Sequence, residues 1–262
     1  MSKTKHPTGL KTLFFTEMWE RMSYYGMRGI LVLFMTASIN NGGLDFSNAS
    51  ASAIYGIYAA AVYLMALPGG WLADNIFGQQ KTILFGGIII MFGHLSLAIP
   101  NMTFFYIGLI LVVMGTGLLK PNISAIVGGL YEKNPSMKES GFTIFYMSIN
   151  IGSILGFFIC GYLGENIGWH YGFGAAGIGM LLGIIQFKLN LNLLGDVGLK
   201  PTNLISEVTK NNYKKITSII ILLIMIFIFS GLAGLWSINP VPLANILTLI
   251  IASISIAYFL YI

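Results

Sequence analysis

The stretch Glu17-Met18-Trp19-Glu20-Arg21-Met22-Ser23-Tyr24-Tyr25-Gly26-Met27-Arg28 sets two carboxylates and two guanidinium groups between apolar residues such as Phe14, Phe15, Ile30, Leu31 and Phe34. At 100° per residue, a helix gathers Glu17, Glu20, Arg21, Tyr24 and Arg28 into roughly a third of its circumference. Charged groups on a membrane-length helix are costly, so they must face one another or a cavity. One structural ion pair would account for two of them; this face carries more. Two carboxylates beside an arginine can exchange a proton, because making or breaking the pair changes how readily the proton is held.

Outside that first span one cation lies deep in an apolar run, Lys120 in Gly115-Thr116-Gly117-Leu118-Leu119-Lys120-Pro121-Asn122-Ile123-Ser124. Pro121 removes a backbone donor and frees the carbonyl four residues back, which predicts a kink. Arg28 and Lys120 would suit an anionic substrate group such as a carboxylate. Tyr146, Asn150 and Ser153 share one helix face by spacing, as do many residues that only glue helices together, and Tyr63 alone says little. Read by chemistry alone, this set describes a proton-coupled carrier for something bearing a carboxylate. It leaves the substrate open.

The elements that must position these residues follow from composition. The 262 residues are 56% hydrophobic and 9% charged, against roughly a quarter charged in an average soluble domain. The chain reads as an all-α integral membrane protein, since no strand-like alternation separated by turns supports a barrel. Apolar runs predict about eight spans, near 13–39, 52–73, 82–99, 103–128, 142–164, 171–190, 216–235 and 243–262. The N-terminal run is too long and too charged for a signal peptide.

Lysine placement predicts the orientation. Lys3, Lys5, Lys11, Lys81, Lys133, Lys138, Lys188, Lys200, Lys210, Lys214 and Lys215 all fall on the N-terminal side of this topology. The intervening connections, around 41–50, 100–101, 165–168 and 237–242, hold no Lys or Arg. The N-terminus is therefore expected in the cytoplasm. The polar stretch 192–215 divides a bundle over 1–191 from a final apolar pair over 216–262 that lacks charges.

Other chemistries find no support. The glycine pairs resemble close-packing sites and not phosphate loops. His94 reads as a packed residue, Cys160 has no partner for a disulfide, and no Ser/His/Asp set suggests hydrolysis. The net charge of +5 is sorted by membrane side and is not a nucleic-acid signal. No enzyme activity, cofactor, metal or nucleic acid is expected.

Several motifs, in order along the chain, resemble those of the proton-dependent oligopeptide transporters, a branch of the major facilitator superfamily. Glu17 to Tyr25 looks like the family's E-x-x-E-R-F/M-x-Y-Y signature. Gly69-Gly70-Trp71-Leu72-Ala73-Asp74, followed by Gly78-Gln79-Gln80-Lys81, is similar to the superfamily's loop between the second and third helices. Gly117 to Asn122 and Phe145 to Ser153 are close to two further signatures. The resemblance implies a major facilitator-type N-terminal six-helix bundle followed by two extra membrane helices of the bacterial kind. It implies symport of di- and tripeptides with protons across the cell membrane by alternating access. Glu17, Glu20 and Arg21 match its proton-coupling group. Tyr24, Tyr25, Arg28, Tyr63, Lys120 and Asn150 match its peptide pocket, and Asp74 and Lys81 match its gating loop.

Three departures qualify that expectation. Asn75 and Gln80 stand where the family often has Arg or Lys, which predicts a weaker charge lock around Asp74. Gly56 stands at the position of the histidine used by animal members, so coupling would rest on carboxylates. The family needs twelve core helices, so the sequence reads as a truncated or split half whose partners are peptides, protons, the lipid bilayer and a missing C-terminal half or second chain. The alternative is a non-transporting half-carrier that acts only as a membrane-embedded partner or binding protein.

Overall fold

The computed structural model describes residues 5–203, 207–232 and 239–261, and no strand occurs among them. Eight long helices follow one another: α1 (Gly9–Thr36), α2 (Asn48–Leu72), α3 (Gln79–Leu97), α4 (Met102–Leu130), α5 (Lys138–Asn166), α6 (Trp169–Leu189), α7 (Glu207–Leu232) and α8 (Pro240–Tyr261). The shortest has 19 residues and the longest 29, or about 28–44 Å at 1.5 Å per residue, enough to cross ~30 Å of hydrocarbon. Six of the described helical segments are long and apolar enough to span: those of α2, α3, α4, α5, α6 and α8. The chain is a multi-pass membrane protein. α1 misses this composition standard because any 18-residue window of it holds at least three of Lys11, Glu17, Glu20, Arg21 and Arg28. Glu17, Glu20 and Arg21 are buried within the bundle, Arg28 is half-buried and only Lys11 is exposed, so α1 is nevertheless one of its central helices.

Local signals explain the helix starts. Ser47 Oγ accepts from the Ser50 backbone N–H at the head of α2, and Asn101 Oδ1 accepts from Thr103 N–H at the head of α4. α2 loosens into a π-helical turn at Ala73–Phe77 and ends at Gly78, whose φ of 81° favours glycine. α4 runs through Pro121, and Asn122 Nδ2 donates there to the Leu118 carbonyl at 2.7 Å and across to the Gly69 carbonyl of α2 at 3.3 Å.

α1 packs chiefly on α5 and α6, α3 on α4 and α6, and α2 on α4. Glycines set the closest approaches. A Cβ on Gly156 would lie 2.8 Å from the Gly26 nitrogen, and one on Gly86 would lie 2.7 Å from the Gly115 carbonyl oxygen. Only backbone fits at these crossings. The core falls into two clusters, one containing Leu10, Leu13, Ile123, Tyr131 and Phe187, the other Met27, Phe34, Val112 and Phe173. Glu17, Glu20 and Arg21 lie on α1 between the residues that it gives to each.

The lysine-bearing connections gather at one end of the bundle. There His6 Nδ1 meets the Tyr131 hydroxyl at 2.7 Å, and Gln80 bonds the segment after α6. At the other end Trp169 Nε1 donates to the Asn41 carbonyl at 3.0 Å, and His170 Nδ1 lies 3.1 Å from the Leu97 carbonyl.

The chain differs from expectation after α6. α7 starts at Glu207, inside the stretch 192–215 expected as a linker, and its early residue Tyr213 packs edge-on against Trp71 at 4.9 Å between ring centroids. That aromatic contact gives the polar first turns of α7 a packing partner. α8 packs on α2 and leaves Leu249, Ile254 and Phe259 exposed, as a lipid-facing helix does. Lys3, the last residues of the span expected over 216–235, residues 237 and 238 of the 237–242 connection and residue 262 lie outside the described residues.

Candidate functional site

α1 brings its charged residues into the middle of the bundle. Arg21 Nε lies 3.0 Å from Glu17 Oε1 and also pairs with Glu20 Oε2. All three side chains are at most 4% exposed. Position in the helix explains the first pair, because Glu at i and Arg at i+4 stack on one face. The approach is ionic more than hydrogen-bonded: Glu17 Oε2, both Glu20 oxygens and Arg21 Nε and Nη2 have no hydrogen-bond partner. The group is thus two carboxylates around one guanidinium, formally one negative charge in excess. Binding one proton would leave a balanced pair. Buried charge left without a partner is costly, so both carboxylates depend on Arg21.

The Arg21 guanidinium carbon also sits 5.2 Å from the Tyr24 ring centroid and 5.8 Å from that of Tyr25. Those two rings meet edge-to-face at 5.5 Å. Tyr24 is buried and Tyr25 half-buried, and both link the ion cluster to the next turn. Two turns above Arg21, about 10 Å along the axis, Arg28 is half-buried and donates from Nε to the Tyr55 hydroxyl of α2.

Lys120 of α4 is half-buried, with its ammonium 5.1 Å from the Tyr63 ring centroid of α2. Tyr63 is 66% exposed. Among the described residues both ion pairs belong to Arg21, so Lys120 and Arg28 each hold a cation against a tyrosine with no carboxylate in contact. That arrangement leaves two positive groups available to a ligand carboxylate. Asn150 and Tyr146 of α5 are exposed, and Ser153 donates to the Asn150 carbonyl at 2.9 Å.

The expected site residues therefore divide by burial. Glu17, Glu20, Arg21 and Tyr24 form a closed cluster; Tyr25, Arg28 and Lys120 are half-open, while Tyr63 and Asn150 are open. Asp74 and Lys81 are elsewhere, at the α2–α3 turn, and make no ion pair with each other among the described residues. Asp74 instead accepts from the Thr202 hydroxyl at 3.3 Å. Around it, Asn75 and Gln80 make neutral amide bonds to the chain after α6, where a charge lock was expected to be weak. Gly56 is exposed and has open space beside it.

Two residues escaped the reading of the sequence. Tyr55 is the partner of Arg28, and Tyr58 is buried with its hydroxyl unpartnered one turn along the same helix. The available signal was their i, i+3 spacing in an otherwise apolar helix. His94 is fully buried with both ring nitrogens unpartnered, as a packed side chain among helices α3, α4 and α6.

Comparison with known proteins places this geometry. The Bacillus subtilis transporter YclF is 53% identical over 195 residues, which cover 72% of this chain and 40% of the relative. The peptide transporter YePEPT of Yersinia enterocolitica is 42% identical over 269 residues, covering 98% of this chain and 52% of the relative. A crystal structure of a peptide transporter POT in complex with sulfate superposes with a TM-score of 0.86 at 40% identity, over 97% of this chain and 53% of that one. A POT family transporter in complex with 5-aminolevulinic acid gives 0.84 at 37% identity, over 97% and 52%. The chain spans about half the length of the curated relatives it matches. Their fold is the major facilitator-type bundle, and the family consists of transporters and not enzymes. The sequence model for the POT family, PTR2, matches residues 80–231, more than half of the chain; the chain belongs to the POT family.

Proposed function

We propose that this chain supplies the proton-coupling helix and one wall of the substrate site in a carrier that moves di- and tripeptides with protons across the cell membrane. The single observation that carries the reading is the buried Glu17–Arg21–Glu20 cluster, with one carboxylate in excess, on the same helix as Arg28 and beside a half-open Lys120. In this reading Glu17, Glu20 and Arg21 exchange the proton. Arg28 and Lys120 take the peptide carboxylate, and Tyr24, Tyr25, Tyr63 and Asn150 line its path. Asp74 and Lys81 belong to the gating turn, with the N-terminus in the cytoplasm. Residues 1–191 act as the transporter bundle, 192–215 as a cytoplasmic linker whose end is already helical, and 216–262 as an added pair.

Support comes from two directions. The Lactococcus lactis relative, 39% identical over 261 residues, is named a di-/tripeptide transporter. The exposure of Tyr63, Tyr146 and Asn150 suits residues that a second wall covers during alternating access. The test is uptake of labelled dialanine by cells producing this chain, and by cells producing a chimera in which residues 1–262 replace the aligned segment of YePEPT. Protonophore-sensitive uptake by the chimera supports the reading. An inserted chimera that takes up no dialanine overturns it, and uptake by the chain itself would show that no second wall is needed.

A further inference from the structure

After α6 the chain makes a short helical turn, Leu191–Leu194, and residues 195–203 then cross the lysine-rich end of the bundle. A Cβ on Gly9 would lie 2.9 Å from the Leu193 carbonyl oxygen, and one on Gly129 would lie 2.7 Å from Val197. The start of α1 and the end of α4 are thus packed beneath this segment. Its strongest attachment is to the α2–α3 turn. Gln80 Nε2 donates to the carbonyls of Gly195 at 3.0 Å and Val197 at 2.9 Å, and the Gln80 backbone N–H donates to that of Gly198 at 2.9 Å. Further along, the Asn203 N–H donates to the Asp74 carbonyl at 2.9 Å, and Asn203 Nδ2 donates to Asn75 Oδ1 at 3.0 Å.

Backbone shape fits the same contact. Gly78 and Gly198 have φ of 81° and 69°, and a Cβ on Gly78 would lie 2.6 Å from the Leu199 carbonyl oxygen. Gln80 is only 5% exposed, so water has little access to the two carbonyls it satisfies. Immediately beyond, Tyr213 of α7 packs on Trp71 at the end of α2.

We infer that residues 195–203 are a strap that locks the α2–α3 turn, with Gln80 as its positioning residue, and that the strap couples the start of α7 to that turn. The lock is built from neutral donors and carbonyl acceptors, so high salt leaves it in place. Its chemistry is directional. A carboxamide gives both N–H groups, one to each carbonyl. A carboxylate at the same position gives none and faces two oxygens; an ammonium can give to both. The inference rests on these bonds and stands apart from the transport reading.

Hydrogen exchange on the full chain in detergent tests it, comparing Gln80→Leu, Gln80→Glu and Gln80→Lys. Exchange in peptides covering 73–80 and 195–203 should rise by roughly tenfold or more in Gln80→Leu and Gln80→Glu, the order expected when two buried acceptors lose their donors. Gln80→Lys should keep near wild-type protection, and peptides from α5 should be unchanged in all three. Wild-type protection in Gln80→Glu would overturn the strap, as would equal loss in Gln80→Lys and Gln80→Leu. Should the Gln80 variants loosen α5 as well, Asn203→Leu at the exposed end of the strap decides: local loosening supports it, and unchanged exchange at 73–80 refutes it.

Discussion

Replacing Arg21 by glutamine is the sharpest perturbation of the buried cluster. Arg21 is 2% exposed and is the ion-pair partner of both Glu17, at 3.0 Å, and Glu20. Its removal strands two carboxylates with side chains 4% and 0% exposed. Breaking a buried pair by removing one partner costs about 3–5 kcal/mol. No solvent discount applies here, because none of the three groups reaches water. At roughly 2–4 °C per kcal/mol for a chain near this size, Arg21→Gln should lower the melting temperature in detergent by roughly 6–20 °C. The triple variant Glu17→Gln/Glu20→Gln/Arg21→Gln removes every charge and should recover much of that loss, since buried neutral amides cost far less to desolvate than stranded carboxylates and can hydrogen-bond one another. Acid should also restore part of the loss in Arg21→Gln, because a protonated carboxyl has no charge to bury. Melting followed by intrinsic fluorescence or thiol-reactive dye reads all three. A single variant within about 2 °C of wild type, or a triple variant no better than the single, would refute the claim that these carboxylates depend on Arg21.

Gly156→Val should lower the melting temperature by roughly 2–12 °C, from about 1–3 kcal/mol of overpacking, because a Cβ there meets the Gly26 nitrogen at 2.8 Å; unchanged melting would mean that α1 and α5 do not cross so closely. Cys160 is fully buried, with its side chain against Gly26 of α1, so maleimide should label it slowly in the folded protein and quickly after denaturation, and fast labelling of folded protein would contradict that placement. Tyr55→Phe removes the hydroxyl that accepts from Arg28 and should weaken chimera uptake of dialanine by roughly three- to tenfold with melting almost unchanged. A large loss of melting temperature would instead make the Arg28–Tyr55 contact structural.

Much of the fold was legible because a membrane span is a long-range signal. Every expected span over the first six overlaps a helix of the structure, although α1 is too charged to meet the composition standard for a span. The ion cluster itself was legible from the 100° periodicity of a helix: Glu17 and Arg21 are one turn apart, and Glu20 adjoins them. What was hidden depends on contacts between distant segments. Tyr55 lies 27 residues from Arg28, and no pattern within α2 marks it as the partner. Asn75 and Gln80 read as missing charges in a familiar loop, whereas the fold uses their amides to bind residues more than a hundred positions away. The start of α7 was misplaced because Glu207 to Lys215 is polar; Tyr213 anchors that stretch to Trp71, a contact that hydropathy does not register.

The measurement closest to the central claim compares two modes of dialanine movement in the YePEPT chimera carrying residues 1–262, with and without Glu20→Gln. On the proposed function, proton-driven accumulation requires the cluster to gain and lose a proton; counterflow, in which labelled peptide exchanges for unlabelled, requires only a working substrate site. The account predicts that Glu20→Gln abolishes accumulation down a proton gradient while counterflow and membrane insertion persist. Accumulation that survives the substitution at wild-type level would contradict it, and loss of insertion would make Glu20 a residue of the fold and not of the coupling.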